Sequence, residues 1–423
     1  MNARQQTIRI LVVMLGLLVI LLLAACNNPF KAKTANPDKP LEVPGSLSDA
    51  SWDEIVADAQ GKTVNIYMWG GSDAINRYID DYMAPMVKQQ YDVTLKRTPM
   101  NAPDFINKLQ VEKQANKQEG VIDIIWINGE NFLTAKQADI LYGPFTNQLP
   151  NFNDYVDQND PSILYDFGLA TEGYEAPWGK VQFTFAYDSA KVANPPKTFE
   201  ELLAWTKENP GRFTYPAVQD FTGSAFIRHV LYNETGGYEQ YLKEDSTLGD
   251  TSKVWEYLNA LKPNLWRNGT TYPENLAKLD QLFASGEVWI TMGYNEARAS
   301  NMITDGIFPE TTRSFVMESG TIGNTHFLAI PFNAPQKAGA LAVINALLSP
   351  EAQIAKYNPK QWGEGMAIDV NRLNDVDKQQ IAAIDPGVAT LPMDVLSKYR
   401  LPEISAKHVE QLNEEWLTNV AGR

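Results

Sequence analysis

The chain has 423 residues, 44% of them hydrophobic, a single cysteine and a formal charge of −15 at pH 7. Such an acidic balance argues against nucleic acid as a partner and against electrostatic adhesion to anionic headgroups, and one cysteine excludes an intrachain disulfide framework. A single core rarely grows beyond about 250–300 residues, so two lobes are expected.

The N-terminus carries Arg4 and Arg9, then an unbroken apolar run from Ile10 to Leu23. That run is shorter than the roughly 20 residues a spanning helix needs and suits a signal peptide. Leu23-Ala24-Ala25-Cys26 closes it with small residues before the cysteine. This is a lipobox: residues 1–25 are expected to be removed, leaving Cys26 with lipid (palmitate among its acyl chains) on its thiol and amine. The lost residues hold two arginines and no acid, so the net charge moves from −15 to −17. Residues 26–45, with Pro29, Pro37, Pro40 and Pro44, read as a polar, extended tether.

From Thr63 strands alternate with helices. TVNIYMW, DVTLKRT and VIDIIWI read as strands, with helices after Gly70-Gly71, around Pro103 and after Gly129. This β-α-β-α-β rhythm predicts a parallel sheet covered on both faces. Pro177 to Asp188 alternates apolar and polar positions, which predicts one long strand with a polar face. The lobes are expected to meet there, with a return crossing between Ser314 and Ile330. A second α/β unit follows: Thr198 and Glu201 form a capping box, RFTYP (212–216) reads as a strand, TGSAFIRHVL as a helix, and NLAKLDQLFASGE as a helix feeding the strand VWITMGY. Later, Lys337 onward is a helix apolar nearly all round, and Ser349 caps another with Pro350 at its first position. The lobes are then 46–180 plus 322–350 and 181–321 plus 351–423.

Motifs for rival chemistries fail. There is no GxxxxGK[ST], HExxH, GxSxG or CxxC, and His229, His326 and His408 are far apart and read as structural. No cofactor, metal site or catalytic residue is expected. In open α/β sheets ligands sit beyond the carboxyl ends of strands. Trp69, Gly70 and Gly71 follow one strand; Trp126, Asn128 and Glu130 follow or end another; Trp178 begins the crossing strand. Aromatic faces stack rings and attract cations, but each tryptophan equally suits a core. Thr222, Gly223 and Ser224 read as an N-cap and first turn whose free N–H groups suit an oxyanion, or as an ordinary capped helix. Tyr294, Asn295 and Glu296 follow a strand and would face the ligand if its sheet is parallel; the alternative is a solvated turn.

The late phrase IPFNAPQKAGALAVINALLSPEAQ, with the lipobox and the two-lobe pattern, resembles the extracellular solute-binding proteins of ABC importers. APWGKVQFTFAYDSAKV, NPGRFTYPAVQDFTGSAFIRH and LFASGEVWITMGYNEARASNMI are similar to the YnjB-type group within them. The resemblance implies a type II periplasmic-binding-protein fold: two α/β lobes closing on a small-molecule solute around a hinge, and an ABC permease with its ATPase as partners. It also implies a non-enzymatic, exported monomer, in the periplasm or at the outer face of the cell membrane. The pocket residues suit a charged or zwitterionic organic solute, with a neutral sugar as runner-up. A lipoprotein hydrolase or a non-transport surface lipoprotein is the alternative from another class.

Overall fold

A computed structural model describes Leu47, residues 50–242 and residues 246–422. The signal peptide, Cys26 and the tether at 26–45 lie outside the described residues. In chain order the strands are β1 (Thr63–Met68), β2 (Thr94–Pro99), β3 (Ile124–Ile127), β4 (Leu141–Tyr142), β5 (Tyr165–Asp166), β6 (Leu169–Ala170), β7 (Ala176–Gln182), β8 (Thr184–Asp188), β9 (Ile290–Gly293), β10 (Thr312–Phe315), β11 (Thr321–Pro331) and β12 (Arg400–Leu401).

The first sheet runs β2-β1-β3-β11, with β7, β4 and β12 also on β11. As the β-α-β rhythm predicts, β1 pairs in parallel with both β2 and β3. Helices Ala84–Tyr91, Ala102–Gln114 and Lys337–Leu347 bury their apolar residues against this sheet. The last is buried at every position from Ala338 to Leu347, which is why its sequence lacks a polar face. β11 arrives antiparallel to β3 and β7. Its eleven residues are nearly all buried, making it the spine of the molecule.

The second sheet is β10-β8-β9 and wholly antiparallel. The condition under which Tyr294, Asn295 and Glu296 were expected to face the ligand, a parallel sheet, is therefore not met here. Residues 212–216, expected as a strand, form none; Arg212 O accepts from Trp289 N at 2.8 Å and Phe213 O from Trp266 N at 2.8 Å, local tethers rather than a ladder.

The expected long strand at 177–188 divides at Phe183: β7 lies in the first sheet and β8 in the second. Its polar positions do not face water. Residues 181–186 are all buried, and Gln182 Nε2 donates to Thr321 Oγ1 at 3.0 Å. Period two marks a polar face only where one face is solvated, and here both are covered. The chain returns through Val316–Gly320 into β11, and Phe183 N donates to Ile322 O, just past that return, at 2.8 Å.

Each sheet owns an apolar cluster, one including Ile66, Ile124, Trp178 and Leu341, the other Phe183, Phe185, Phe226 and Ile290. The assignment of everything after residue 350 to the second lobe needs correction. Ala352, Trp362, Ala367, Ile368 and Leu373 bury in the first cluster, and only from Ile404 does the chain settle into the second. Ser349 caps its helix as expected, accepting from Ala352 N. Thr198 accepts from Glu201 N, but the Glu201 carboxylate takes Lys197 N instead of closing the box.

Candidate functional site

The carboxyl ends of β1 and β3 carry the first expected group. Trp69 is 39% exposed. A Cβ on Gly71 would lie 2.2 Å from the Trp69 ring and one on Gly70 2.6 Å from Pro99, so the glycine pair lets the indole fold back over the turn. Asn128 joins two strands: it accepts from Trp126 Nε1 at 3.1 Å and donates Nδ2 to Thr325 O at 2.5 Å. Gly129 N donates to Asp166 Oδ2 at 2.5 Å. Burial pushes the Asp166 carboxyl up to about 8, with Gly129 opposing and Glu403 adding to the rise. Glu130 is half-buried, and burial raises it while Arg228 pulls it back.

Behind these ends, Trp126, Trp178 and Trp362 form an aromatic cluster, with Trp178 centroids 5.1 Å from each of the others. Trp178 is fully buried and takes the core role, not a ligand face. Trp126 keeps partial exposure and lies 4.6 Å from the His326 ring. Beneath them a buried polar chain runs His326–Glu364–Lys356: His326 Nδ1 is 3.1 Å from Glu364 and Lys356 Nζ 3.5 Å from it. Lys356 also donates to Trp178 O. Burial brings the Lys356 amine down to about 8, opposed by Glu364. Gly179 makes room for this chain, since a Cβ there would sit 1.5 Å from Glu364 Oε1.

On the second side the expected oxyanion cradle is already filled. The helix is Phe221–Thr235 and its N-cap is Asp220, not Thr222. Asp220 Oδ1 accepts from Thr222 N and Gly223 N, at 2.9 and 3.4 Å, and Oδ2 from Leu276 N at 3.1 Å. Thr222, Gly223 and Ser224 are buried, and Gly223 is pressed against the Pro216 and Ala217 carbonyls. A carboxylate from the protein thus occupies the position an anion was expected to take. Ser224 Oγ instead accepts from Arg228 Nη1 at 2.8 Å. Arg228, fully buried, makes a bidentate pair with Glu403 at 2.8 and 2.9 Å, and Tyr294 OH donates to Glu403 at 2.8 Å. Phe221, 5.2 Å from Tyr294, and Phe167 flank this network.

Glu296 is partly exposed, and burial pushes its carboxyl up to about 7, with Arg400 opposing and Glu364 adding to the rise. Asn295 turns the chain at φ 74° and caps locally, accepting from Ala297 N at 2.9 Å. The two sides meet where Asn301 Nδ2 donates to Trp362 O at 2.5 Å, and at the rim where Arg77 and Asp305 approach to 4.0 Å.

Thus Trp126, Asn128 and Glu130 stand on one side and Tyr294, Asn295 and Glu296 on the other, while Trp178 and residues 222–224 sit within the packing. Arg228, Glu403, Glu364, Lys356 and Arg400 were not singled out from the sequence, and His326 was read only as structural. Their partners lie up to 178 residues away, and the one local signal was Arg228 four residues after Ser224 on a helix. A cavity of about 460 Å³ lies between Phe315–Glu318 and Leu391–Tyr399, and one of about 560 Å³ between helices Pro350–Tyr357 and Asp375–Ala382. Neither is lined by an expected site residue.

The defining pattern of the bacterial extracellular solute-binding proteins matches residues 78–365. This chain belongs to that family. Protein YnjB of Escherichia coli strain K12 is 37% identical over 374 residues, covering 87% of this chain and 93% of its own. Two solved structures, each with 16% or lower identity, have the same fold. One is the spermidine/putrescine ABC transporter substrate-binding protein PotD from Streptococcus pneumoniae: 16% identity, TM-score 0.60, covering 85% of this chain and 98% of that one. The other is AfuA from Actinobacillus pleuropneumoniae with fructose-6-phosphate bound: 14% identity, TM-score 0.57, covering 85% and 98%. A polyamine transporter's protein and a sugar-phosphate binder on one fold mean that the fold does not select the solute of a solute-binding protein.

Proposed function

We propose that the protein captures a small charged or zwitterionic organic solute between its two lobes and passes it unchanged to an ABC permease and its ATPase. The lobes close about the paired passages at Phe183 and Val316–Gly320, and lipid on Cys26 holds the body at the membrane. The hydrogen bond from Phe183 N to Ile322 O carries this reading. It ties the two passages side by side, so relative motion of the sheets concentrates on a few residues, as in hinge closure. The solute works by favouring the closed arrangement over the open one. Trp69, Trp126 and Tyr294 supply aromatic faces, and Glu130 and Glu296 supply negative charge.

A thermal-shift screen over organic cations, amino acids, vitamins, phosphonates and sugars tests it. A ligand at a hundredfold excess over its Kd should stabilise the protein by about 2.7 kcal/mol. The recovered ligand should keep its mass. A ligand altered in mass would favour the hydrolase alternative, and a sugar as the sole hit would replace the charged-solute reading.

A further inference from the structure

Arg400 is partly buried, and burial holds its guanidinium below the usual arginine range, opposed by Glu296 and then by Asp160. Of the five N–H donors an arginine carries, one is used among the described residues, Nη2 to Asn324 O at 3.4 Å. Its two acidic neighbours do not close on it, since no carboxylate oxygen comes within 4.0 Å. Asp160 is held by Lys180 at 2.5 Å. Glu296 makes no ion pair with a described side chain, although backbone N–H groups of its own turn and of Gln182 partly satisfy its carboxylate. A partly desolvated guanidinium with open N–H donors is chemically suited to an anion.

The site around it is built. A Cβ on Gly323 would lie 2.2 Å from Arg400 Cζ, so the guanidinium rests where Gly323 lacks a side chain. Gly323 and Thr325 are two residues apart on β11, before the register shift after His326, and therefore share one face. Thr325 is buried and its Oγ1 has no partner. An unfilled hydroxyl and an unpaired guanidinium thus lie on one sheet face, beside Asn128, which bonds the Thr325 carbonyl.

We propose that Arg400 and Thr325 form an anion subsite that takes the carboxylate or phosphoryl oxygens of the solute, while Glu296, opposite, receives its cationic end. This deepens the import reading and rests on it. The bound solute is then a zwitterion laid between Arg400 and Glu296, completing two half-made ion pairs at once. A polyamine or a neutral sugar would leave Arg400 unpaired.

The test uses the full chain in detergent and a simple probe, sodium phosphate or sodium acetate against sodium chloride at matched ionic strength. The thermal midpoint should rise by a few degrees in at least one oxyanion, and the more effective salt identifies the oxygen class. Arg400→Gln should abolish the difference, and Arg400→Lys should keep part of it. Thr325→Val removes the hydroxyl at constant shape and should weaken half-saturation at least severalfold; it also serves should Arg400→Gln fold poorly. No difference in the wild type, or the same difference in Arg400→Gln and Thr325→Val, overturns the subsite. A screened solute whose affinity Arg400→Gln leaves unchanged also overturns it while leaving import standing. An Arg400-dependent oxyanion effect without any screened solute would uphold the subsite and count against import.

Discussion

Asp166 shows how one buried acid sets a pH response. It is 1% exposed, one oxygen bonds Gly129 N and the other has no partner. Its carboxyl stands near 8 in the fold because burial disfavours the charge. A folded value above the unfolded one means the native state holds its proton more tightly, so this group's contribution is greatest at low pH and is lost as pH rises from about 4 through 8. Glu296, near 7, acts in the same sense. Lys356, lowered to about 8, contributes stability above 10.5 that is lost as pH falls to 8 and then stays constant. Between pH 5 and 8 Asp166 and Glu296 favour the acid side, opposed below about 6.5 by His229, which burial lowers to about 3. Asp166→Asn should flatten the fall in thermal midpoint across that window by several degrees. Parallel curves for wild type and variant, followed by circular dichroism, would count against the account. None of this was legible in the sequence, because Asp166 looks like any turn aspartate until β5 carries it under Gly129.

At the scale of elements, local signals read well and pairings read poorly. Ser349 and the Lys337–Leu347 helix behave as their sequences say, because caps and periodicity are contained within a few residues. The first three strands pair in parallel as expected. The strand order of the second sheet was not legible, since an antiparallel β8 between β9 and β10 joins residues more than a hundred apart in sequence and leaves no local trace. The helix Phe221–Thr235 was found but its cap was placed two residues late. Aspartate and threonine are both strong caps, and contact with Leu276 N, 56 residues on, decided for Asp220. Asp220→Ala should therefore cost about 1–2 kcal/mol in chemical denaturation while leaving solute affinity within twofold. A loss of affinity with stability intact would restore the helix start to the binding surface.

For the whole molecule, the ion pairs that join the two sides are modest. Arg77 and Asp305 are exposed and 4.0 Å apart, and such pairs contribute about 0–1 kcal/mol. The two sides are also joined through Phe183 N to Ile322 O and Asn301 Nδ2 to Trp362 O.

The place of β11 in the chain has a consequence for how the polypeptide matures. β1 to β3 are complete by Ile127, yet the strand that covers the edge of β3 is Thr321–Pro331. Nearly two hundred residues, including the whole second sheet, must emerge from ribosome or translocon before it does. Until then β3 presents an unpaired edge, the situation that invites wrong partners, and closing so long a loop slows productive pairing. The N-terminal half is therefore expected to lock only when β11 arrives. Pulse-labelled hydrogen exchange during refolding should show amides of β1 and β3 gaining full protection together with those of β11. Early, independent protection of β1 to β3 would mean that this half stands without its spine.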